Sequence, residues 1–445
     1  MKRIIGTIVT FLIAAAPASG QELVRVVSDI DRGTVRMSYA TQPGTCGNGD
    51  NIQFGNSRTV INGRWNDRRC VEGPAFLQLE IRDGRVRAAE VRVGTESWPS
   101  AGSPATDLGR LAAAAAASAL LELAETARND AGDDLVFAAV IADSAVLVDP
   151  LLRLARMEGV EEDTRKSAVF WLAHATDQDV SGQLEALAMD DGVPIKVREA
   201  AVFGLSQTRG AAAGPALRRI AMSAALTELR ENAVFWLGQS DDPEAVEFLV
   251  DLARGSSALA EKAVFGLSQH DSPEANLALK ELVTDRSVTE DVRENAIFWL
   301  GQGDDDGNVD FLRQAYLELD DPELKEKVIF SMSQMGGDDA VNWLLAVAGD
   351  RDEPTDVRKN ALFWAGQADG AEDRLISFYE DVGDRDIKEQ LIFVYSQADG
   401  PASLRQLMDI AGNETDHDLR ENAIFWLGQS DAPEAMAFLE DLIDG

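Results

Sequence analysis

Asp291–Gln302, with the sequence DVRENAIFWLGQ, is the clearest copy of a unit that this chain repeats. Each copy places Gln four residues after Phe, and successive Phe residues lie 30 to 33 residues apart. We name these positions the Phe/Gln ladder: Phe203 and Gln207, Phe235 and Gln239, Phe265 and Gln269, Phe298 and Gln302, Phe330 and Gln334, Phe363 and Gln367, Phe393 and Gln397, Phe425 and Gln429, with Phe170 and His174 as a variant. Self-similarity at this period predicts stacked two-helix units that bury their apolar faces against one another.

The repeated helix has two distinct sides when its residues are placed about 100° apart on a helical wheel. The side predicted to face the core carries Val292, Ala296, Trp299 and Leu300. The opposite side carries Glu294, Asn295, Phe298 and Gln302. A large aromatic ring therefore recurs on the side that an ordinary surface helix gives to water, and this makes the ladder Phe the most informative residue type in the chain.

The first 20 residues have the pattern of a secretory signal peptide. Lys2 and Arg3 precede an apolar run, and Pro17-Ala18-Ser19-Gly20 supplies small residues for cleavage. The apolar run is too short to span a membrane. We expect a soluble protein in the periplasm or outside the cell, with no membrane insertion once the signal is removed.

Charge divides the remaining chain into two parts. Residues 21–100 contain 11 Arg and no Lys against 10 acidic residues, whereas the residues after them contain 28 basic and 67 acidic residues. The acidic part is expected to repel nucleic acid and anionic lipid and to attract basic ligands over about 8 Å at physiological salt. The acidity also has a simpler interpretation, the solubility of a long exposed surface.

Residues 21–100 are predicted to form a small β-rich domain. Strands are predicted over Leu23–Val27, Thr34–Tyr39, Phe76–Arg82 and Arg85–Val93. Asp83-Gly84 predicts a tight hairpin turn between the last two strands, because this dipeptide readily adopts positive φ angles. The apolar alternation changes phase at Ala89, where we expect a β-bulge.

Cys46 and Cys70 are the only cysteines, and in an exported protein a lone pair predicts a disulfide. The segment between them has two interpretations, a recognition loop or a stapled β-domain with solvated arginines. The residues concerned are Arg58, Arg64, Arg68 and Arg69, near Trp65.

Residues 101–146 are predicted to hold a linker and an atypical first helical layer that covers the end of the array. An Ala-rich helix is expected from Leu108 to about Arg128. Phe137 lies 33 residues before Phe170 and indicates a degenerate first copy. Regular repeats are then expected over residues 147–445.

The pattern Asp-Val-Arg-x-x-Ala-x-x-x-Leu-Gly at Asp291–Gly301, approached by Leu229–Gly238 and Asp418–Gly428, resembles HEAT repeats. The period of about 32 residues is similar to that of the short subclass found in phycobilisome lyases. The resemblance implies a mainly α fold, a right-handed α-solenoid of about nine two-helix repeats. It also implies that the second helices line a concave face, so that Glu294, Asn295 and the Phe/Gln ladder face a groove.

A second period lies over the first, because the residue after each ladder Phe alternates between large and small. The large residues are Trp171, Trp236, Trp299, Trp364 and Trp426, and the small residues are Gly204, Gly266, Ser331 and Val394. We refer to the two kinds of copy as Trp repeats and small repeats. Since the wheel directs this position toward the core, we expect each Trp to fill space left by the small residue of the adjacent layer.

The ladder itself has two interpretations. If its side chains are free, aromatic rings and amides at intervals of about 10 Å suit an extended polypeptide or polymer. If the rings pack edge to face and the amides bond along the ladder, the residues hold the array together.

The chain lacks the sequence motifs of common enzyme classes. It has no Gly-x-Ser-x-Gly elbow, no phosphate-binding Gly-x-x-x-x-Gly-Lys loop and no His-Glu-x-x-His helix. His174, His270 and His417 are scattered among copies, and Arg313 stands where a calcium loop starting near Asp304 needs Glu. We therefore predict no catalytic residues, no metal site and no cofactor.

Together these patterns predict an exported, non-enzymatic scaffold that binds a protein or extended polymer, of basic character, along the concave face. No nucleic-acid partner is expected. The alternatives are a lyase-like enzyme with its site in the β-rich domain or the groove, and a purely structural component of the cell envelope.

Overall fold

The structure is a computed structural model. It describes residues 19–49, 51–54, 57–61, 70–94, 105–175, 178–208, 212–255, 258–303, 305, 307–368, 370–398 and 400–444, without the side chains of 57–61 and 444. Most of the predicted signal peptide, the linker and residues 62–69 of the arginine-rich segment lie outside this part of the chain. Two compact units are present, Met1–Leu237 and Gly238–Gly445.

The first unit begins with a β region, residues 19–110, built from one helix and two four-stranded sheets. Its elements are α1 (Gly20–Asp29), β1 (Arg32–Tyr39), β2 (Cys46–Gly47), β3 (Ile52–Phe54), β4 (Ser57–Ile61), β5 (Val71–Glu72), β6 (Ala75–Arg82), β7 (Arg85–Arg92) and β8 (Ala105–Arg110). The strand orders are β7-β6-β1-β8 and β4-β3-β2-β5. Cys46 and Cys70 form a disulfide with a Cα–Cα distance of 5.2 Å, as the sequence predicted.

The larger sheet follows the predicted alternation and packs on helices. Leu77, Leu79 and Ile81 of β6 are buried, and Leu77 and Leu79 lie opposite Met37 and Val35 of β1. The Asp83-Gly84 turn has positive φ at both residues, as a tight hairpin requires. The bulge falls at Arg87 rather than at Ala89, because Glu80 pairs with Ala88 and Ile81 with Val86.

Two other predictions for this region were wrong. Leu23–Val27 lies in α1 and not in a strand, because Ser19 caps a helix that buries Leu23 and Val27 one turn apart. Leu108 lies in β8, which pairs in parallel with β1, so the Ala-rich helix starts only at Ala113. The β region therefore extends past the predicted boundary at residue 100.

The rest of the first unit consists of paired helices. These are α2 (Ala113–Ala124), α3 (Ala131–Val140), α4 (Val148–Arg156), α5 (Glu162–His174), α6 (Ser181–Ala188), α7 (Ile195–Gln207), α8 (Ala213–Ser223) and α9 (Thr227–Gly238), whose last residue belongs to the second unit. The Tyr39 hydroxyl donates a 2.8 Å hydrogen bond to the Ala138 carbonyl, which ties the larger sheet to α3.

The second unit continues the same two-helix pattern. Its helices are α10 (Ala245–Arg254), α11 (Ala260–Ser268), α12 (Pro273–Thr284), α13 (Glu290–Gln302), α14 (Gly307–Glu318), α15 (Pro322–Met335), α16 (Gly337–Gly349), α17 (Thr355–Gly366), α18 (Glu372–Asp381), α19 (Arg385–Gln397), α20 (Pro401–Asn413), α21 (His417–Gly428) and α22 (Pro433–Asp444). The fold class is thus a mainly α solenoid of stacked helix pairs with a small N-terminal β region. None of the helices among the described residues has the length and apolar character needed to cross a bilayer.

Arginines near the start of the second helices join the two helices of a pair. They are Arg165, Arg198, Arg230, Arg293 and Arg358, and each donates from Nε to a main-chain carbonyl at 2.7–2.9 Å. The accepting carbonyls lie near the C-terminal end of the preceding first helix, where carbonyls lack helical partners and carry the negative end of the dipole. The arginine therefore satisfies a helix end and fixes the second helix against the first.

Candidate functional site

In both units, the Phe/Gln ladder lies on the side of the second helices that faces away from the core. Each ladder Phe is half-buried except Phe425, which is 57% exposed. Every ladder Gln is exposed, and so is His174, whose ring stacks on Phe170 at a centroid distance of 4.1 Å. The structure agrees with the wheel, which placed Phe and Gln on the side opposite the core.

The Trp side chains lie among these rings and not deep in the core. The Trp299 ring packs on the Phe298 ring of its own helix, with a centroid distance of 5.0 Å, and on the Phe265 ring of the preceding second helix, with a centroid distance of 4.9 Å. The same contacts recur at Trp171, Trp236, Trp364 and Trp426. Four of these five residues are half-buried, less deep than the wheel predicted, because each indole packs against the ring that the preceding second helix supplies. Only Trp171 is buried.

The small residues have a separate role, since Gly266, Ser331 and Val394 each lie close to a glycine of the preceding Trp repeat. A Cβ on Gly301 would lie 2.6 Å from the Ser331 Cβ, and one on Gly366 would overlap the Val394 Cγ1. A Cβ on Gly238 would similarly meet Gly266. The alternation of large and small residues thus reflects two kinds of contact between successive second helices. One is close, at the small residue, and the other is wider and is filled by Trp.

The ladder amides make local hydrogen bonds. In the small repeats, Gln207, Gln269, Gln334 and Gln397 each donate to the hydroxyl of the preceding Ser at 3.1–3.3 Å. Those Ser hydroxyls donate in turn to the carbonyl of the ladder Phe in the same helix. These amides are held in place by their own helix, and their carbonyl oxygens remain at the exposed end of the side chain.

One cleft brings several predicted site residues together. We name it the α13–α15 cleft; it has a volume of about 300 Å³ and is lined by Glu294, Asn295, Phe298, Lys327, Phe330 and Ser331. The Phe298 and Phe330 rings are nearly parallel, with an interplanar angle of 6° and centroids 6.3 Å apart. The Lys327 Nζ lies 2.8 Å from a Glu294 carboxylate oxygen, so an ion pair crosses between the two helices.

The polar groups of the cleft are partly fixed by the backbone. Asn295 donates to the Asp291 carbonyl at 2.8 Å, and the Ser331 hydroxyl donates to the Ile297 carbonyl at 3.2 Å. Sequence reasoning missed Lys327, although a signal was present. Lys327 precedes Phe330 by three residues, the offset at which Lys262 precedes Phe265.

An excess of negative charge lies beside this cleft, since Lys327 pairs with only one of three neighbouring carboxylates. Carboxylate oxygens of Glu290, Glu294 and Glu323 lie within 4.8 Å of one another. The nearby Asp321 carboxylate raises the pKa of Glu290, with smaller contributions from its desolvation and from Glu323 and Glu294. The edge of the cleft is therefore suited to a cationic group.

At the start of the array, the β region lies against the ladder. The Phe54 ring, at the end of β3, lies 6.1 Å from the Trp171 ring in an edge-on arrangement, with an interplanar angle of 75°. Phe137 of α3 lies 5.2 Å from the same indole, in agreement with its assignment as a degenerate first copy. Of the predicted recognition residues, Arg64, Trp65, Arg68 and Arg69 lie outside the described part of the chain, and Arg58 is described only by its backbone.

Comparison with known structures gives low similarities. Human deoxyhypusine hydroxylase in complex with glycerol is 20% identical over 56% of this chain and 94% of that chain, with a TM-score of 0.24. Lipovitellin is 12% identical over 82% of this chain and 43% of the lipovitellin chain, with a TM-score of 0.42. Importin beta is 13% identical over 73% of this chain and 54% of the importin chain, with a TM-score of 0.34. The chain thus spans about half the length of these last two chains. A comparison with curated proteins finds no match.

Family models give the clearer result. Residues 287–365, which contain α13, α15 and most of α17, match the model described as HEAT repeats. Residues 229–255 match the model described as PBS lyase HEAT-like repeat. Both matches fall on helix pairs that carry the Phe/Gln ladder. These two segments therefore contain HEAT repeats, as the repeated Asp-Val-Arg and Leu-Gly positions indicated.

Proposed function

We propose that this protein is an exported, non-enzymatic scaffold that binds a protein or another extended polymer along the Phe/Gln ladder. HEAT-repeat solenoids are typical protein-interaction scaffolds, because their stacked repeats present long continuous surfaces. The observation that carries the proposal is the surface of the second helices, where half-buried rings alternate with exposed amides. Such a surface offers apolar area and hydrogen bonds at a regular interval.

The charge of the chain favours a basic partner. The net charge is −36, and the carboxylates of Glu290, Glu294 and Glu323 stand together at the α13–α15 cleft. Complementary charge accelerates association and selects against anionic competitors such as nucleic acid.

Export is supported by the disulfide between Cys46 and Cys70, since disulfides persist mainly in oxidising compartments. The expected destination is the periplasm or the extracellular medium. Identification of the mature N-terminus in the exported fraction tests this part of the proposal.

The binding surface can be tested by adding positive charge to the ladder. We expect Gln302→Arg combined with Gln334→Arg to reduce retention of a protein partner from the exported fraction on the immobilised chain by about tenfold or more. Both side chains are exposed, so the fold is expected to tolerate the change while a basic partner is repelled.

Leu317→Arg is the matched control, because Leu317 is 75% exposed on α14, a first helix. The control is expected to retain the partner. Equal retention by the control and the double variant would show that the ladder is not the binding surface.

A further inference from the structure

Phe54 of the β region covers the first indole of the ladder. Its ring contacts Trp171, which also touches Phe137 and Phe170. With Phe54 in place, Trp171 is only 6% exposed. An aromatic side chain carried by a strand is thus seated on the ladder within this molecule.

The corresponding positions of the second unit have the same two ladder rings. Trp299 lies 4.9 Å from Phe265 and 5.0 Å from Phe298, and Trp364 lies 4.9 Å from Phe330 and 5.1 Å from Phe363. Both indoles are half-buried, whereas Trp171 is buried. These two positions therefore keep exposed the kind of aromatic surface that Phe54 covers at Trp171.

We propose, on the basis of the binding function inferred above, that Trp299 and Trp364 each receive an aromatic side chain from one extended polypeptide segment, as Trp171 receives Phe54. The edge-on arrangement of Phe54 and Trp171 is one that aromatic pairs favour, because the positive ring edge meets the negative ring face. The partner is thus a polypeptide with aromatic residues at a defined spacing.

The spacing follows from the helices. Trp299 and Trp364 lie on α13 and α17, with α15 between them, and packed helices lie about 8–10 Å apart. The two indoles are therefore about 16–20 Å apart, a distance that roughly six residues of extended chain cover at about 3.3 Å per residue. An even spacing also places both aromatic side chains on the same side of the strand.

The residues between the two aromatics are expected to be basic. Glu290 and Glu294 lie on α13 and Glu323 lies on α15, so all three flank the interval that the segment crosses, on the side of the helix N-termini. Lys or Arg at intervening positions would meet these carboxylates.

A binding measurement with synthetic peptides tests the spacing on the unaltered full chain. The probe is a fluorescein-labelled 14-residue peptide of Lys, Ser and Thr with two Phe residues six positions apart. Two comparison peptides carry Leu in place of both Phe, or two Phe three positions apart. By fluorescence anisotropy, the first peptide is expected to bind about fivefold or more tightly than either comparison peptide, because each aromatic contact contributes roughly a two- to tenfold effect.

Variants of the chain locate the contact. Trp364→Leu is expected to remove the advantage of the six-residue spacing, whereas Trp343→Leu is expected to keep it. Trp343 is a matched control, because it is a half-buried Trp on the first helix α16, where it packs on Tyr316. Circular dichroism establishes that each variant is folded, and the peptide comparison does not depend on any variant.

Equal binding of the three peptides, or no detectable binding of any, would overturn the inference. An equal effect of the two Trp variants would also overturn it. These results differ from a failure of the proposed function, in which the Gln302→Arg and Gln334→Arg variant retains its natural partner. Loss of that partner together with equal peptide binding would refute the aromatic spacing alone.

Discussion

Phe330 illustrates how a ladder residue takes part in both packing and surface. Its ring lies 4.9 Å from Trp364 and 6.3 Å from Phe298, yet the side chain is only half-buried and lines the α13–α15 cleft. Gln334, four residues later, is exposed and bonds within its own helix. The two interpretations of the ladder thus apply to different atoms, since the rings pack between layers while the amide ends face outward.

Phe330→Ser is therefore expected to lower the free energy of unfolding by about 1–3 kcal/mol, because a half-buried ring loses two aromatic contacts. Gln334→Ala is expected to change it by less than about 0.5 kcal/mol. Urea denaturation of both variants provides the measurement. A Gln334→Ala loss as large as that of Phe330→Ser would mean that the amides also hold the layers together.

At the scale of the helix, the alternation between Trp and small repeats depends on the glycine that stands two residues after the Trp in α9, α13, α17 and α21. Gly301 faces Ser331 at a distance that leaves no room for a methyl group, whereas a Cβ added to Gly428 of α21 would meet nothing within 4 Å. The same Leu-Gly-Gln sequence therefore has two different surroundings.

Gly301→Ala and Gly428→Ala are consequently expected to change stability in opposite directions. Gly301→Ala forces α13 and α15 apart and is expected to lower the free energy of unfolding by about 1–3 kcal/mol. Gly428→Ala is expected to raise the free energy of unfolding by up to about 1 kcal/mol, since Ala has a higher helix propensity than Gly. Thermal unfolding of the two variants measures the difference, and a gain in stability for Gly301→Ala would contradict the close-contact account.

Glu414 also joins consecutive helix pairs. Its carboxylate accepts hydrogen bonds from the Tyr379 hydroxyl, Lys388 and the Asp416 amide. Burial raises the pKa of Glu414, but these hydrogen bonds outweigh it and lower the pKa to about 2. Part of the arrangement recurs two layers earlier, where Lys325 pairs with Glu353 and lies over the Tyr316 ring.

The Glu414 contribution is expected to depend on pH. Because the folded pKa lies below the unfolded value of 4.5, the stabilisation is complete above pH 4.5 and is lost as pH falls toward 2. Its size is on the order of 1–2 kcal/mol after solvent screening. Urea midpoints measured from pH 6 to pH 2 are expected to fall less steeply for Glu414→Gln than for the unaltered chain, and parallel curves would contradict this assignment.

For the whole molecule, the 30- to 33-residue period was sufficient to predict the stacked helix pairs, because each copy repeats the same buried positions. Sequence reasoning failed where a local helix cap or a contact with a distant segment decides the outcome. Leu23–Val27 fits a strand or a helix equally by its apolar pattern, and the Ser19 cap decides for the helix. Trp299 was assigned to the core because Phe265, one repeat earlier, was not considered, and the Tyr379–Glu414 contact spans 35 residues.

The charge of the whole molecule leads to a further expectation. With a net charge of −36, association with a basic partner is expected to slow and weaken as salt rises, because the Debye length falls from about 10 Å at 0.1 M to about 3 Å at 1 M. Partner retention measured across this range is expected to fall steadily. Retention that is independent of salt would indicate a partner bound mainly through the aromatic rings.

Site-specific photo-cross-linking tests the central claim most directly, that the ladder face of the second helices is the binding surface. A photoreactive phenylalanine placed at Gln302 or Gln367 is expected to cross-link to a protein partner in the exported fraction. The same probe at Leu317, on a first helix, is expected to give little product. Cross-linking from Leu317 with none from Gln302 and Gln367 would contradict the account.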